Sequence, residues 1–422
     1  MFTKEYLKKQ LKAMGIKSDD TVLIHTSYKS IGEVEGGIDG LIDAFKEYLS
    51  DGLFIVPTHT WAVVTRENPT YDVKSTVPCI GAVSAVAAFR EDGVRSLHPT
   101  HSVWATGKNA KTFTQGEEHA QTPAPIGGCW CRLAELGAKI LLIGVGNNRN
   151  TFIHAVDEMA KLDDRLAPMP WDITVIDHNG RKITHPYRNH YETGSENFGN
   201  FEKMFIKRGV QTKGMLGNAE VKICDAKKCT EVLLELYSKV KGNLCREEGE
   251  VPGYLYMKKA IVIGCPGSGK TTFSEKLQRL TDLPLFYLDA IWHKPDRTHI
   301  SREEFDERLS EIFGSDEWII DGNYNRTIEE RIRKSDTVFL FDLPTDVCIN
   351  GAIERLGKKR NDVPWVDEEL SHEFKTEIEE FPDKHLQKIY ELLDKYKEYK
   401  QIVIFKSRKQ ADEFLAEMER DI

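Results

Sequence analysis

The order of apolar and polar positions divides the chain into two blocks of alternating strand and helix signals. In the first, spanning about residues 1 to 250, the runs TVLIH, GLFIVP and AKILLIGVG have the length of buried strands. Each leads through a loop into polar or helical sequence. WDITVIDHNGRKITHPY reads instead as two strands around Asn179-Gly180, a favourable hairpin turn. A domain mixing parallel α/β units with an antiparallel piece is predicted. The opening segment, MFTKEYLKKQLKAMGIKSDD, alternates charged and apolar residues as an amphipathic helix does. In the second block AIVIG, LPLFYLDAIW, EWIIDGNY and TVFLFD predict the strands of a parallel sheet. REEFDERLSEIF and DEELSHEFKTEIEEF predict helices whose charges form solvated outer faces.

Between the blocks, GNLCREEGEVPGY is polar and holds Gly and Pro. The expected division is a domain over 1–248, a linker over 249–256 and a second domain over 257–422. Met257 would serve as the start of a separate protein, which suggests the fusion of two modules. No internal repeat or low-complexity segment is present.

A chain of 422 residues exceeds one ordinary core, in agreement with two domains. With 40% apolar and 30% charged residues it has the profile of a globular protein. The net charge of -9 argues against a nucleic-acid partner and suits a cationic small molecule. No run is long enough to span a bilayer, and the N-terminus lacks the apolar core and cleavage site of a secretion signal. A cytoplasmic location without membrane partners is expected. The eight cysteines form no C-x-x-C pair, so reduced structural thiols are expected.

The sharpest motif opens the second domain. Gly264-Cys265-Pro266-Gly267-Ser268-Gly269-Lys270-Thr271 lies between a strand and a helix signal and matches the phosphate-binding loop G-x-x-x-x-G-K-[ST]. Gly264, Gly267 and Gly269 free the backbone to turn its N–H groups, with Ser268 and Thr272, toward phosphate oxygens at a helix N-terminus. Lys270 supplies an ammonium for the β- and γ-phosphates of ATP, and Thr271 a hydroxyl for Mg²⁺. Asp289 ends an apolar strand, where it is expected to orient Mg²⁺ or take a proton from the phosphoryl acceptor. Asp321 and Asp342 also end strands; a turn or helix cap explains them equally well. Arg326, Arg331, Arg355, Lys358, Lys359 and Arg360 are candidate clamps on the transferred phosphoryl group.

The signals of the first domain are weaker one by one. Ser27, Lys29, Ser30 and Gly32 follow a strand and precede a helix-like run, which suits either a phosphate cradle or an ordinary turn. VRSLHPTHSVWATG places His98 and His101 beside Ser102. This is an active-site loop, a metal site or a hydrogen-bonded turn, and the lack of ligand spacing disfavours metal. In AKILLIGVGNNRNTFIHAVDEMA a strand, a loop and a helix follow one another. Thr151 is placed to cap the helix, His154 lies in its first turn, and Asp157 and Glu158 fall on the same face. A carboxylate there would fix the imidazole tautomer for a general base. An ordinary helix start fits the spacing equally.

Two resemblances add to this reading. HTSYKSIGEVEGG, the PTHTW loop with Thr58, RSLHPTHSVWATGKNA and LLIGVGNNRNTFIHAVDE follow the order and spacing of the aminoglycoside 3-N-acetyltransferase family over about residues 1–240. That likeness implies acetyl transfer from acetyl-CoA to an amine of an aminoglycoside, with His154 as base. Its carboxylate partner falls on Asp157, where Glu is expected, and Glu158 is the alternative. The serine-rich loop and Thr58 would face acetyl-CoA, with His98 and Ser102 near the thioester. Acidic residues including Asp163 and Asp164 would favour a polycationic sugar. The rival mechanism is acylation of Cys79 or Cys129. The second domain, through GCPGSGKTTFSEKL, LDAIW, IIDGNYNRT and a basic lid, resembles adenylate-kinase-related proteins called DNA topology modulation proteins over nearly all of 257–422. That implies a P-loop NTPase fold that binds ATP with Mg²⁺, and phosphoryl transfer to an acceptor the resemblance does not name. Two alternatives stand: a non-antibiotic amine for the first domain, and a regulatory, non-catalytic nucleotide site in the second. Oligomeric state is not legible.

Overall fold

The apolar runs become strands because each buries both faces between helices. The computed structural model describes residues 1–162, 165–191, 195–240 and 251–421. It divides into two compact units, Met1–Ser238 and Pro252–Ile422 in the main.

The strands of the first unit are β1 (Thr21–Thr26), β2 (Leu53–Pro57), β3 (Thr70–Asp72), β4 (Val94–Arg95), β5 (Val103–Gly107), β6 (Lys139–Ile143), β7 (Trp171–Ile176), β8 (Lys182–Tyr187), β9 (Gln211–Leu216) and β10 (Ala219–Asp225). A mixed seven-stranded sheet runs β4-β5-β2-β1-β6-β10-β9. β1 is parallel to β2 and to β6, whereas β5 and β10 are antiparallel to their neighbours. β7 and β8 form the hairpin predicted around Asn179-Gly180, and β3 joins them in a separate sheet. The helix Lys4–Ala13 begins at Thr3, whose hydroxyl accepts from the Tyr6 N–H, and buries Leu7 and Leu11. These pack with Leu41, Ile42 and Phe45 of the helix Gly37–Tyr48 against Val22, Ile24, Phe54 and Val56 of the sheet.

Parallel pairing brings the C-terminal ends of β1 and β6 together, and Val103 pairs with Pro57 across β5 and β2. The loops after β1, β2 and β6 and the loop before β5 therefore gather at one edge of the sheet, where ligands bind open α/β sheets.

The second unit holds β11 (Lys259–Gly264), β12 (Leu285–Tyr287), β13 (Trp318–Asp321), β14 (Thr337–Phe341) and β15 (Gln401–Phe405). They form one all-parallel sheet, ordered β12-β13-β11-β14-β15. Phe273, on the helix Lys270–Thr281 that follows β11, packs among Phe339, Phe341 and Phe405 at 5.0–5.3 Å between rings. The second predicted helix of this block starts only at His372, because Ser371 caps it by accepting from the Phe374 N–H. Residues 253–256, placed by composition in the linker, form a turn with Tyr254, Leu255 and Tyr256 buried, and Tyr254 packs edge-on to Phe414. Positions 249 and 250, Cys245, Asp163 and Asp164 lie outside the described residues. The seven described cysteines are free thiols. Among the described residues no helix is long and apolar enough to cross a membrane.

Candidate functional site

In the first unit the loop after β6 feeds the helix Phe152–Met159, which buries six consecutive residues from Phe152 to Asp157. The expected cap is not formed: Thr151 has helical backbone angles and makes no capping bond. His154 packs on His190, 4.0 Å between rings, and on Phe198 at 4.8 Å. Its Nδ1 stands 3.7 Å from Oδ2 of Asp157. The other oxygen of Asp157 accepts from the Tyr237 hydroxyl at 2.8 Å, and Arg165 Nε lies 3.3 Å from Oδ2. The buried Asp157 charge is thus countered by Arg165 and faces the imidazole beyond hydrogen-bonding distance. Glu158 does not take its place. Its carboxylate accepts from the Thr122 hydroxyl (2.5 Å) and the Ala124 N–H (2.8 Å), tying down the 122–124 loop. Burial raises its pKa to about 7.

Around His154 lies a set of buried histidines. His59 meets His101 at 4.7 Å, and His101 meets His190 at 5.1 Å. Burial, reinforced by their neighbours, pushes all three well below the usual histidine range and keeps them neutral. Among the described residues no group of three His, Cys, Asp or Glu is arranged to hold a metal ion.

The other candidate residues of the first unit are engaged in local hydrogen bonds. His98 Nδ1 accepts from the Thr100 and His101 N–H groups, so its Nε2 donates to the Thr122 carbonyl at 2.9 Å. With both nitrogens engaged and no exposure, His98 braces a turn. Ser102 donates to the Thr58 carbonyl (2.7 Å), and its oxygen lies 2.8 Å from the Thr58 hydroxyl. Both are fully buried and clasp β2 to β5. In the serine-rich loop the Ser27 N–H is spent on Ile143, and the Ser30 hydroxyl and N–H both go to the Ser27 carbonyl. Gly32, at φ +92°, allows close approach, since a Cβ there would lie 2.8 Å from the Asn218 amide nitrogen. Lys29 is the exposed residue of this set. The Cys79 and Cys129 thiols donate to carbonyls of His59 and Phe113, and burial raises both pKa values, so neither is an activated nucleophile.

In the second unit a cleft of about 1480 Å³ opens above the C-terminal ends of the strands. Its floor is the glycine loop between β11 and the helix Lys270–Thr281. Gly267 sits at φ +78°, and a Cβ there would lie 2.1 Å from the Cys348 carbonyl oxygen. Lys270 Nζ donates to the Cys265 carbonyl at 2.9 Å, and the Ser268 hydroxyl, fully buried, has no partner. Thr271, Thr272, Asp289 and Asp321 line the same space. Asp321 is 5% exposed and its Oδ1 is unpartnered. Burial raises its pKa to about 7, against the opposing influence of Lys270 and Thr271.

The arginines divide. Arg355 and Arg360 line the cleft; Arg360 forks onto Asp362 at 2.8 and 2.7 Å, and Arg355 lies over the Phe374 ring. Arg326 instead forks onto Asp306 at 2.8 and 2.6 Å, outside the cleft lining. Arg331 is fully buried and donates to the carbonyls of Gly322, Asn323 and Tyr324. Asp342 is held by Tyr390 at 2.6 Å and by Lys406, and does not line the cleft. These three hold the fold.

The profile of the aminoglycoside 3-N-acetyltransferase family matches residues 23–238, just over half the chain. The chain belongs to that family. Among acetyltransferase relatives, the SPbeta prophage-derived aminoglycoside N(3')-acetyltransferase-like protein YokD of Bacillus subtilis is 30% identical over 199 residues, which cover 40% of this chain and 70% of that protein. Aminoglycoside N(3)-acetyltransferase IV of Salmonella sp is 26% identical over 211 residues, covering 50% of this chain and 77% of the relative. A solved structure titled AAC-IIIb binary with CoASH aligns with TM-score 0.48 at 20% identity, over 54% of this chain and 93% of its own.

Beyond the acetyltransferase stretch, two cleft residues were missed in the sequence. Asn323 clasps Gly264 with both amide atoms, Nδ2 to the carbonyl (2.6 Å) and Oδ1 from the N–H (2.9 Å). Arg408 donates to the Gly267 carbonyl at 3.0 Å. In the acetyltransferase unit Arg165, Tyr237 and His190 were missed as well. No local spacing links any of them to the residue it contacts.

Proposed function

We propose that the first unit transfers the acetyl group of acetyl-CoA to an amine of an aminoglycoside, with His154 as general base. The observation that carries this reading is the His154–Asp157 pair on a buried helix at the ligand edge of a family-member fold. An amine is mostly protonated at neutral pH, so it must lose a proton before it attacks. His154 takes the proton released as the amine nitrogen adds to the thioester carbonyl, and returns a proton to the departing coenzyme A sulfur. Asp157, already countered by Arg165, favours the imidazolium through space. Lys29, exposed beside the first loop, is the cation offered to the phosphates of coenzyme A.

The second unit is read as an ATP-binding phosphotransferase. Support comes from the glycine loop, the orphan Ser268 hydroxyl inside it, and Lys270 at the head of its helix. Thr271 and the unpartnered Asp321 oxygen suit Mg²⁺, a hard cation that takes oxygen ligands and offsets the charge of the β- and γ-phosphates. Asp289 stands ready to take the acceptor's proton, and Arg355 faces the transferred group.

Release of coenzyme A thiol from acetyl-CoA across a panel of aminoglycosides tests the first reading. His154→Ala should lower turnover by about 10²–10⁴-fold, with unchanged coenzyme A affinity. Near-wild-type turnover in that variant rules out the base. Lys270→Ala should abolish ATP binding and leave acetyl transfer intact. ATP binding without turnover, indifferent to Asp289→Ala, would reduce the second unit to a regulatory site.

A further inference from the structure

The acids lining the second cleft fall into two sets. Glu354, Asp362, Asp367 and Asp412 each meet a cation, Arg408 at 3.2 Å, Arg360 at 2.7 Å, Arg360 again at 3.6 Å and Lys276 at 2.8 Å. Glu275, Glu368, Glu369, Asp289, Asp321 and Glu377 form no ion pair among the described residues, and the last three are close enough to act on one another. Asp289 raises the pKa of both others, adding to the effect of burial. Asp321 is more than nine-tenths buried, with its Oδ1 buried and unmatched.

The surroundings of Asp289 are aromatic. The Tyr324 hydroxyl donates to its Oδ1 at 3.0 Å, and Trp292 stands 6.1 Å from the Tyr324 ring. Of the lysines and arginines that line the cleft, Lys270 beside the glycine loop, Arg355 and Arg360 act on Asp289 or Glu377, with Arg360 committed to Asp362, and His385 acts on Glu377. Lys270, Arg355 and Arg360 suit the transferred phosphoryl group. A phosphate-bearing acceptor would meet Asp289 and Glu377 and be repelled. A cation with hydroxyl groups would find carboxylates and ring faces together. Even with a divalent ion on Asp321, two carboxylates remain.

We propose that the phosphoryl acceptor of this cleft is a cationic, hydroxyl-bearing amine of the amino-sugar class, held by Glu377 and the Trp292–Tyr324 wall. This rests on the phosphotransferase reading above. The acceptor hydroxyl oxygen forms a bond to the γ-phosphorus. The bond from that phosphorus to the bridging oxygen breaks, its electron pair leaves with ADP, and the hydroxyl proton passes to Asp289.

The test uses the full chain with ATP and Mg²⁺ and no acetyl-CoA, so that acetyl transfer is silent. Kanamycin is the cationic probe, glucose the neutral one, and AMP and dTMP the anionic ones. ADP formation and the phosphorylated product, identified by mass spectrometry, are followed together. Kanamycin should be phosphorylated with kcat/KM at least about tenfold above glucose, as expected for an unscreened charge pair, and the nucleotides not at all. Glu377→Gln should raise KM for kanamycin by about tenfold and leave kcat within about twofold. Asp289→Asn should lower kcat by about 10²–10⁴-fold with ATP affinity retained. Phosphorylation of AMP or dTMP, equal use of glucose, or ATP binding without transfer to any probe overturns the acceptor class. Failure of the wild-type chain to bind a fluorescent ATP analogue sinks the phosphotransferase reading itself.

Discussion

His154 and Asp157 are three positions apart on one helix, yet imidazole and carboxylate stay 3.7 Å apart because Tyr237 and Arg165 hold the acid back. Asp157→Asn keeps the shape and removes the buried negative charge that lies 3.3 Å from Arg165 Nε. That should cost about 3 kcal/mol of stability, read by chemical denaturation, besides slowing acetyl transfer. An unchanged midpoint would mean that Arg165 is countered elsewhere. The buried histidines set the acid limit of the first unit. His98 titrates near 4 when folded against 6.5 when exposed, and His25, His59, His101 and His190 are shifted the same way. The unfolded chain then binds more protons, so their contribution is full above pH 6.5 and is progressively lost as pH falls below it. Each costs about 1.4 kcal/mol per pH unit in that window. Glu117 and Glu158, raised to about 7, act oppositely: their contribution is full below about 4.5 and lost as pH rises through 7. Five against two, the histidines prevail, and the first unit should melt at a lower temperature at pH 5 than at pH 7. A flat profile would contradict their burial as neutral groups. Residue placement was legible where it is local, as with Lys270 at the head of its helix and His154 three positions before Asp157. It was illegible for Asp342, which ends an apolar strand just as Asp321 does, because only tertiary neighbours distinguish them. β14 lies beside β15, which delivers Lys406, whereas Asp321 ends beside the glycine loop.

At the scale of elements, the glycine loop is fixed by steric demand as much as by ligand. Gly267→Ala places a methyl 2.1 Å from the Cys348 carbonyl at a positive φ. The strain should cost about 1–3 kcal/mol and weaken binding of a fluorescent ATP analogue; binding at wild-type strength would show that the loop can shift its backbone freely. The strands legible in the sequence are those buried on both faces, such as β1, β6, β11 and β14. β4, β9 and β10 were not legible. β4 is two residues long, and β9 alternates weakly, with Thr212 and Lys213 exposed. The stretch from 94 to 107, read as a loop, is a short hairpin because Arg95 pairs with Trp104.

For the whole molecule, two units with separate sheets and cores should unfold in two transitions. ATP with Mg²⁺ at a hundredfold excess over its dissociation constant should stabilise only the second, by about 2.7 kcal/mol, and acetyl-CoA only the first. Differential scanning calorimetry reads both, and a single transition shifted by either ligand would show that the units unfold as one.

Asn323 and Gly264 lie 59 positions apart and exchange two hydrogen bonds. Aspartate at 323 would keep the acceptor and lose the donor, setting two oxygens against each other. The same turn carries Tyr324, which holds Asp289. Position 323 therefore works as a spelling check on the glycine loop. In a library randomised there and selected for nucleotide binding, the survivors should return asparagine, although that side chain belongs to a different strand–turn from the loop it guards.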